Sequence, residues 1–188
     1  MSQTTPPPSP TLPTTSYALL GLLSFGPPEL SGYEVKQRAD STLRFFWVSP
    51  AVSQVYGELD RLEKAGLVAS RKTKGPGRRR TRRFTITPAG ETELRRWVEE
   101  TEVEFPVIKH SVALRLFFGH LAGPDSTRKV LDQYVSELET RIEELRAIRA
   151  GLGDDPGFHY PALVAEWGQH YYGSEIEVVR DLADRLVS

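Results

Sequence analysis

The sequence predicts a mainly α-helical protein in two parts: three helices with a two-stranded hairpin and a linking helix, then a wholly helical half. Three features point to it. Helix-start and helix-stop residues punctuate the first hundred positions. β-favouring residues flank a single basic stretch, KGPGRRRTRR at 74–83. Beyond residue 107, apolar residues recur at helical spacing with no further hairpin signal.

The first helix is read from YALLGLLSF (17–25), which Gly26-Pro27-Pro28 ends by removing backbone donors. A second starts near residue 32, where Ser31 and Glu34 form a capping box and Leu30 and Val35 a hydrophobic staple. For the third, Ser49 is the expected N-cap, Pro50 the first helical residue and Gly66 the left-handed stop. Its apolar stripe is Val52, Val55, Leu59 and Leu62, which leaves Ser53, Gln54, Gly57, Arg61 and Lys64 facing outward and Tyr56 on the flank. LVASRKT and RRFTITP read as strands, with Phe84 and Ile86 on one face of the second. Pro88 opens a fourth helix that packs inward through Leu94, Trp97 and Val98.

Charge is distributed unevenly. The chain of 188 residues has 24 basic and 25 acidic residues, yet residues 71–83 hold eight cations and no acid. Without those eight, 16 basic residues face 25 acidic ones. Binding to a polyanion depends on where the cations lie, so a formal net charge of −1 does not exclude it. A run of like charge is by default a solvated segment, and its strand flanks are what make this one the tip of a hairpin.

Helix, helix, helix, strand, basic loop, strand, helix is the order of a winged helix-turn-helix. In that arrangement the third helix enters the major groove, where Ser53 and Gln54 reach base edges and Gly57 permits close approach. The wing cations Lys74, Arg78, Arg79, Arg80, Arg82 and Arg83 contact phosphates or enter a narrow minor groove. Arg61 adds a positive charge to the same outward face.

SGYEVKQRA, FFWVSPAVSQVYGELDRLEKAGLV and RRRTRRFTITPAGETELRRWV follow, in order and spacing, the pattern of the PadR family of bacterial transcriptional regulators. The resemblance covers roughly residues 17–100, and VIKHSVALRLFFGHLAG with the helices after it resembles the larger C-terminal dimerisation domain of one PadR subgroup. It implies a homodimeric DNA-binding regulator, usually a repressor, often released by a small and frequently aromatic effector. It also implies that Tyr56 lies near DNA and that Ser31, Gly32 and Tyr33 form a second-helix start that approaches phosphate.

In the second half, Val107–Leu121 reads as one apolar helix stopped by Gly123-Pro124. Leu131, Val135, Leu138, Ile142 and Leu145 then alternate four and three apart, a heptad seam that either packs within its own domain or pairs with a second chain. After GLGDDPGF a last helix over 160–187 lines up Leu163, Trp167, Tyr171, Ser174, Val178 and Leu182. The seam with Leu163, Val178 and Leu182 is assigned to dimerisation, which sets two recognition helices about one DNA turn apart on an inverted repeat. Trp167, His170 and Tyr171 are candidates for an effector site, although aromatic residues on helices more often pack than bind.

The expected domains are a disordered leader (1–15), a winged helix-turn-helix DNA-binding domain (16–101) and a helical dimerisation and effector domain (102–188). The chain has no cysteine, its four histidines have no metal-ligand spacing, and no nucleophile-and-base or phosphate-loop motif occurs, so neither metal, cofactor nor catalysis is expected. The Pro-, Ser- and Thr-rich start lacks the features of a secretory signal, and no apolar run spans a bilayer, so a cytoplasmic location is expected. The competing function is a winged protein-interaction module that docks an acidic partner through the basic wing.

Overall fold

A computed structural model of the chain describes residues 12–74, 80–103, 105–107 and 109–186. They divide between residues 103 and 104 into two compact units. The first contains helices α1 (Thr14–Ser24), α2 (Gly32–Thr42), α3 (Val52–Lys64) and α4 (Pro88–Glu100), with strands β1 (Leu30–Ser31), β2 (Val68–Lys74) and β3 (Arg80–Ile86). Helix α1 begins two residues inside the stretch expected to be a leader, and the leader's residues 1–11 lie outside the described residues.

The antiparallel sheet has the order β1-β3-β2, so β3 is central. Phe84, in the middle of β3, is fully buried in a core built from Tyr17, Leu19, Leu20 and Leu23 of α1, Val35 of α2, Val55, Leu59 and Leu62 of α3, and Val68. Tyr17 stacks on Trp97 of α4 with ring centroids 4.8 Å apart, and its hydroxyl donates to Glu93 Oε1 at 2.9 Å. Ser16 Oγ donates to buried Glu58, tying α1 to α3 across the same core.

The ends of α2 and α3 follow local rules. Ser31 Oγ accepts from Glu34 N–H at 3.2 Å while Glu34 Oε2 accepts from Ser31 N–H at 2.6 Å, a complete capping box. Gly66, at φ +74°, closes α3 with Leu67 N–H on Leu62 O and Gly66 N–H on Glu63 O, both 2.9 Å. The start of α3 differs from expectation. Ser49 does not cap it: its hydroxyl donates to Asp40 Oδ1 at 2.6 Å and accepts from Lys36 Nζ, which fastens the incoming linker to α2. Pro50 stays outside the helix, Ala51 is the cap residue, and Gln54 Oε1 accepts from Ala51 N–H at 2.9 Å. Two expected core residues are also exposed: Val52 at 51% and Val98 at 68%. Both lie near helix ends that extend past the core they pack on.

The second unit contains α5 (Ser111–Phe117), α6 (Pro124–Leu152) and α7 (His159–Arg185), with short 3₁₀ turns at Gly119–Leu121 and Pro156–Phe158. The expected helix over 107–121 is therefore only seven residues long, and none of them is buried. His110 caps it: Nδ1 accepts from Ala113 N–H at 3.0 Å, while Nε2 lies 2.9 Å from Glu175 Oε1 and 3.2 Å from the Tyr134 hydroxyl. This cluster links α5, α6 and α7. Burial, and then the Glu175 charge, push the Tyr134 phenol up to about 12.

Leu131, Val135, Leu138, Ile142 and Leu145 of α6 are buried within this single chain, four of them in one core with Ile176, Val179 and Ala183 of α7. This corrects the assignment of the heptad seam to dimerisation. A heptad states that a helix face is covered; it does not say by which chain. On α7 the covering residues nearest the interhelical loop are small, and a Cβ at Gly168 would lie 2.9 Å from Leu145 Cδ1. Arg180–Glu139 and Arg149–Glu166, at 2.6 and 2.7 Å, bridge the two helices beside the seam.

Candidate nucleic-acid interface

Helix α3 presents Ser53, Gln54, Tyr56, Gly57 and Arg61 to solvent, while Val55, Leu59 and Leu62 hold it to the core. Nothing would meet a Cβ at Gly57, so this part of the helix surface is open. Tyr56, 41% exposed, lies against the first residue of α2: a Cβ at Gly32 would be 2.4 Å from Tyr56 Cε1 and 2.6 Å from Cζ. Only glycine lets the ring occupy that seat. Tyr33 is exposed next to it, its hydroxyl accepting from Gln37 Nε2 at 3.2 Å. Ser31 is nearly buried and spends its hydroxyl on the α2 cap. Arg61 is exposed, with Glu58 Oε2 3.6 Å from its Nε.

The hairpin solves an electrostatic problem. Its register places Arg71 opposite Arg83 and Lys72 opposite Arg82, like charges that repel across a ladder. Carboxylates from outside the hairpin neutralise both rungs. Glu29 accepts two bonds from Arg71, at 2.5 and 2.6 Å, and these hold its carboxyl below the usual value. Arg83 donates to the Glu29 carbonyl at 2.9 Å and pairs with Glu34 at 3.3 Å. Glu34 is likewise lowered, first by the Ser31 backbone N–H, then by the Ser31 hydroxyl, with Arg83 a smaller contributor. On the opposite face Arg82 reaches Asp60 and Glu63 of α3, donates to Ser70 Oγ at 2.8 Å and lies 4.7 Å over the Phe84 ring. The base of the wing is thus fastened to α2 and α3 by arginines that the charge pattern assigned to phosphates. Lys72 is exposed.

Residues 19–96 match the model of the transcriptional regulator PadR-like family, and residues 108–186 match that of the virulence activator alpha C-terminal region. Residues 19–96 therefore carry a PadR-like family domain. A relative in Bacillus subtilis (strain 168), the negative transcriptional regulator PadR, is 29% identical over 179 residues, covering 90% of this chain and 97% of that protein. The crystal structure of Bacillus subtilis PadR in complex with operator DNA superposes with a TM-score of 0.79 at 24% identity, covering 93% of this chain and 99% of that one. The same protein in complex with p-coumaric acid gives 0.72 at 22% identity, covering 94% and 100%. These likenesses show that the fold is that of PadR: a winged helix-turn-helix followed by a helical C-terminal domain.

Arg78 and Arg79 lie outside the described residues, and Lys74 and Arg80 are described only as the last backbone pair of the hairpin. Trp167, His170 and Tyr171 form no enclosure within the described chain: all three are exposed on α7, with the Trp167 and Tyr171 ring centroids 6.0 Å apart. Leu163 and Val178 share that outward side with them, and Leu182 is half-buried. Among the described residues no helix is long and apolar enough to cross a membrane. Sequence reasoning missed Glu29, Asp60, Glu63 and the seat of Tyr56 on Gly32. Glu29 and Arg71 are 42 positions apart, and no local spacing encodes such a pair.

Proposed function

We propose that the chain is a dimeric, sequence-specific DNA-binding repressor, released from its operator by a small aromatic effector and acting in the cytoplasm by binding rather than turnover. The observation that carries this reading is the attachment of the wing to α3 through Arg82, which fixes a cationic hairpin beside an open, polar helix face. In this reading Ser53, Gln54 and Tyr56 face the major groove, and Gly57 and Arg61 continue that surface. Tyr33 and the start of α2 at Ser31 meet a phosphate. Lys74, Arg78, Arg79 and Arg80 supply the phosphate contacts of the wing, and Arg82 and Arg83 hold it in place.

Support for the dimer comes from α7, which is apolar on two sides. One side packs on α6; the other exposes Leu163, Val164, Trp167, Tyr171 and Val178. A stripe of exposed apolar side chains along one helix marks an association surface, so a second copy is placed on this face. Trp167, His170 and Tyr171 become enclosed only when that second copy covers them, which is how an effector site at these residues is coupled to the dimer. The p-coumaric acid complex of Bacillus subtilis PadR supports an aromatic acid as the class to test.

The test is a titration of DNA from upstream of the chain's own gene at several salt concentrations. Specific retardation is expected, with log K falling by about 0.9 per decade of salt for each phosphate neutralised. Equal affinity for unrelated DNA of the same length removes the sequence-specific reading, and capture of an acidic protein without any DNA binding at low salt replaces it with the docking module.

A further inference from the structure

We propose that Val52 is a specificity-determining residue that reads the 5-methyl group of a thymine in the major groove; this rests on the DNA-binding reading above. Helical periodicity places Val52 in the core with Val55, Leu59 and Leu62, yet the structure leaves it half exposed in the first turn of α3. Of the first-turn residues Val52, Ser53, Gln54 and Val55, Val52 is the one that is both apolar and exposed, beside a surface that is otherwise polar or small at Ser53, Gln54 and Gly57. Val52 lies one turn before Tyr56 and on the same side of the helix, so it extends the edge that Gly32 and Tyr56 define against α2.

Gln54 strengthens the case. Bidentate recognition of adenine needs both the oxygen and the nitrogen of the side-chain amide. Here the oxygen is held on Ala51 N–H, which ties the amide to the start of the helix and restricts how it can turn toward a base while the cap holds. Less of the direct readout then falls to hydrogen bonds at the start of α3, and the only apolar feature that a base pair offers in the major groove is the thymine methyl. Val52 is the side chain on this turn that matches it.

The experiment uses the full chain and the operator recovered with it, replacing each thymine singly by deoxyuridine, which deletes the methyl and keeps every hydrogen-bonding group. One thymine in each half-site is expected to be sensitive, with affinity falling about fourfold, the value of one methyl removed from water. Val52→Ala should bind the unmodified operator more weakly by a similar factor and lose the deoxyuridine effect, while Val52→Thr, which keeps one methyl, retains part of it. Because Val52 is exposed, these variants fold as the parent does, checked by their melting curves. Insensitivity at every thymine, or an undiminished deoxyuridine effect in Val52→Ala, overturns the proposal and leaves specific DNA binding standing. If the Val52 variants bind DNA normally but lose self-association, the residue belongs to a protein contact and the proposal is wrong. Failure to recover any operator removes the DNA-binding reading, and this inference with it.

Discussion

Replacing Gly32 by alanine should move Tyr56 and weaken DNA binding without unfolding the chain. The added Cβ would sit 2.4 Å from Tyr56 Cε1 and 2.6 Å from Cζ. Carbon atoms in contact are normally about 3.5–4.0 Å apart, so the overlap exceeds roughly 1 Å and something must yield. The ring is 41% exposed, so it can rotate outward, whereas the α2 backbone is held by the Ser31–Glu34 box. Overpacking of this kind costs about 1–3 kcal/mol, offset by up to about 1 kcal/mol because alanine is the better helix former. A net loss of roughly 0.5–2 kcal/mol, or a few degrees in Tm, is expected. Operator affinity should fall by about tenfold or more, since the displaced ring blocks or vacates the surface beside α3. In urea titrations Gly32→Ala combined with Tyr56→Ala should be less destabilised than the sum of the single changes by about 1 kcal/mol, because the clash is gone. DNA binding should not return with stability. A Gly32→Ala chain that melts and binds like the parent, or a double variant whose costs simply add, would refute this reasoning.

Three further outcomes are expected. Leu138→Ala, inside the α6–α7 seam, should cost about 2–5 kcal/mol in the helical unit, whereas Trp167→Glu should leave the helical circular dichroism intact and shift the sedimentation of the chain toward monomer. Arg82→Ala should lower stability by roughly 1–2 kcal/mol, from two partly exposed ion pairs and one cation–π contact, and leave the salt dependence of DNA binding nearly unchanged; replacing Arg78, Arg79 and Arg80 together should flatten it while Tm stays the same. The lowered carboxyl of Glu34 contributes stability that is complete above the ordinary glutamate value near 4.3 and is lost as pH falls through its lower folded value, so Glu34→Gln should show a shallower acid limb than the parent in melting curves recorded below about pH 5.

What was legible in the sequence was local. The Ser31–Glu34 box, the Gly66 stop and the Pro88 start of α4 are written within four residues of where they act, and the structure has all three. The two-residue β1 is too short to carry a periodicity of its own. The wing arginines were visible as charge, but their partners were not: Arg83 meets a glutamate 49 positions away and Arg82 an aspartate 22 positions away, distances that only the folded topology closes. Periodicity misplaced Val52 and Val98 because a helical repeat continues past the edge of the core, and it could not distinguish the side of α7 that meets α6 from the side that faces outward.

The most direct test of the central claim is selection of genomic DNA fragments by the purified full-length chain at physiological salt, followed by sequencing of what is bound. The account predicts enrichment of one inverted repeat, with half-site centres about one helical turn, or a multiple of it, apart. Recovery of fragments in proportion to their abundance, with no shared sequence and no symmetry, would contradict it.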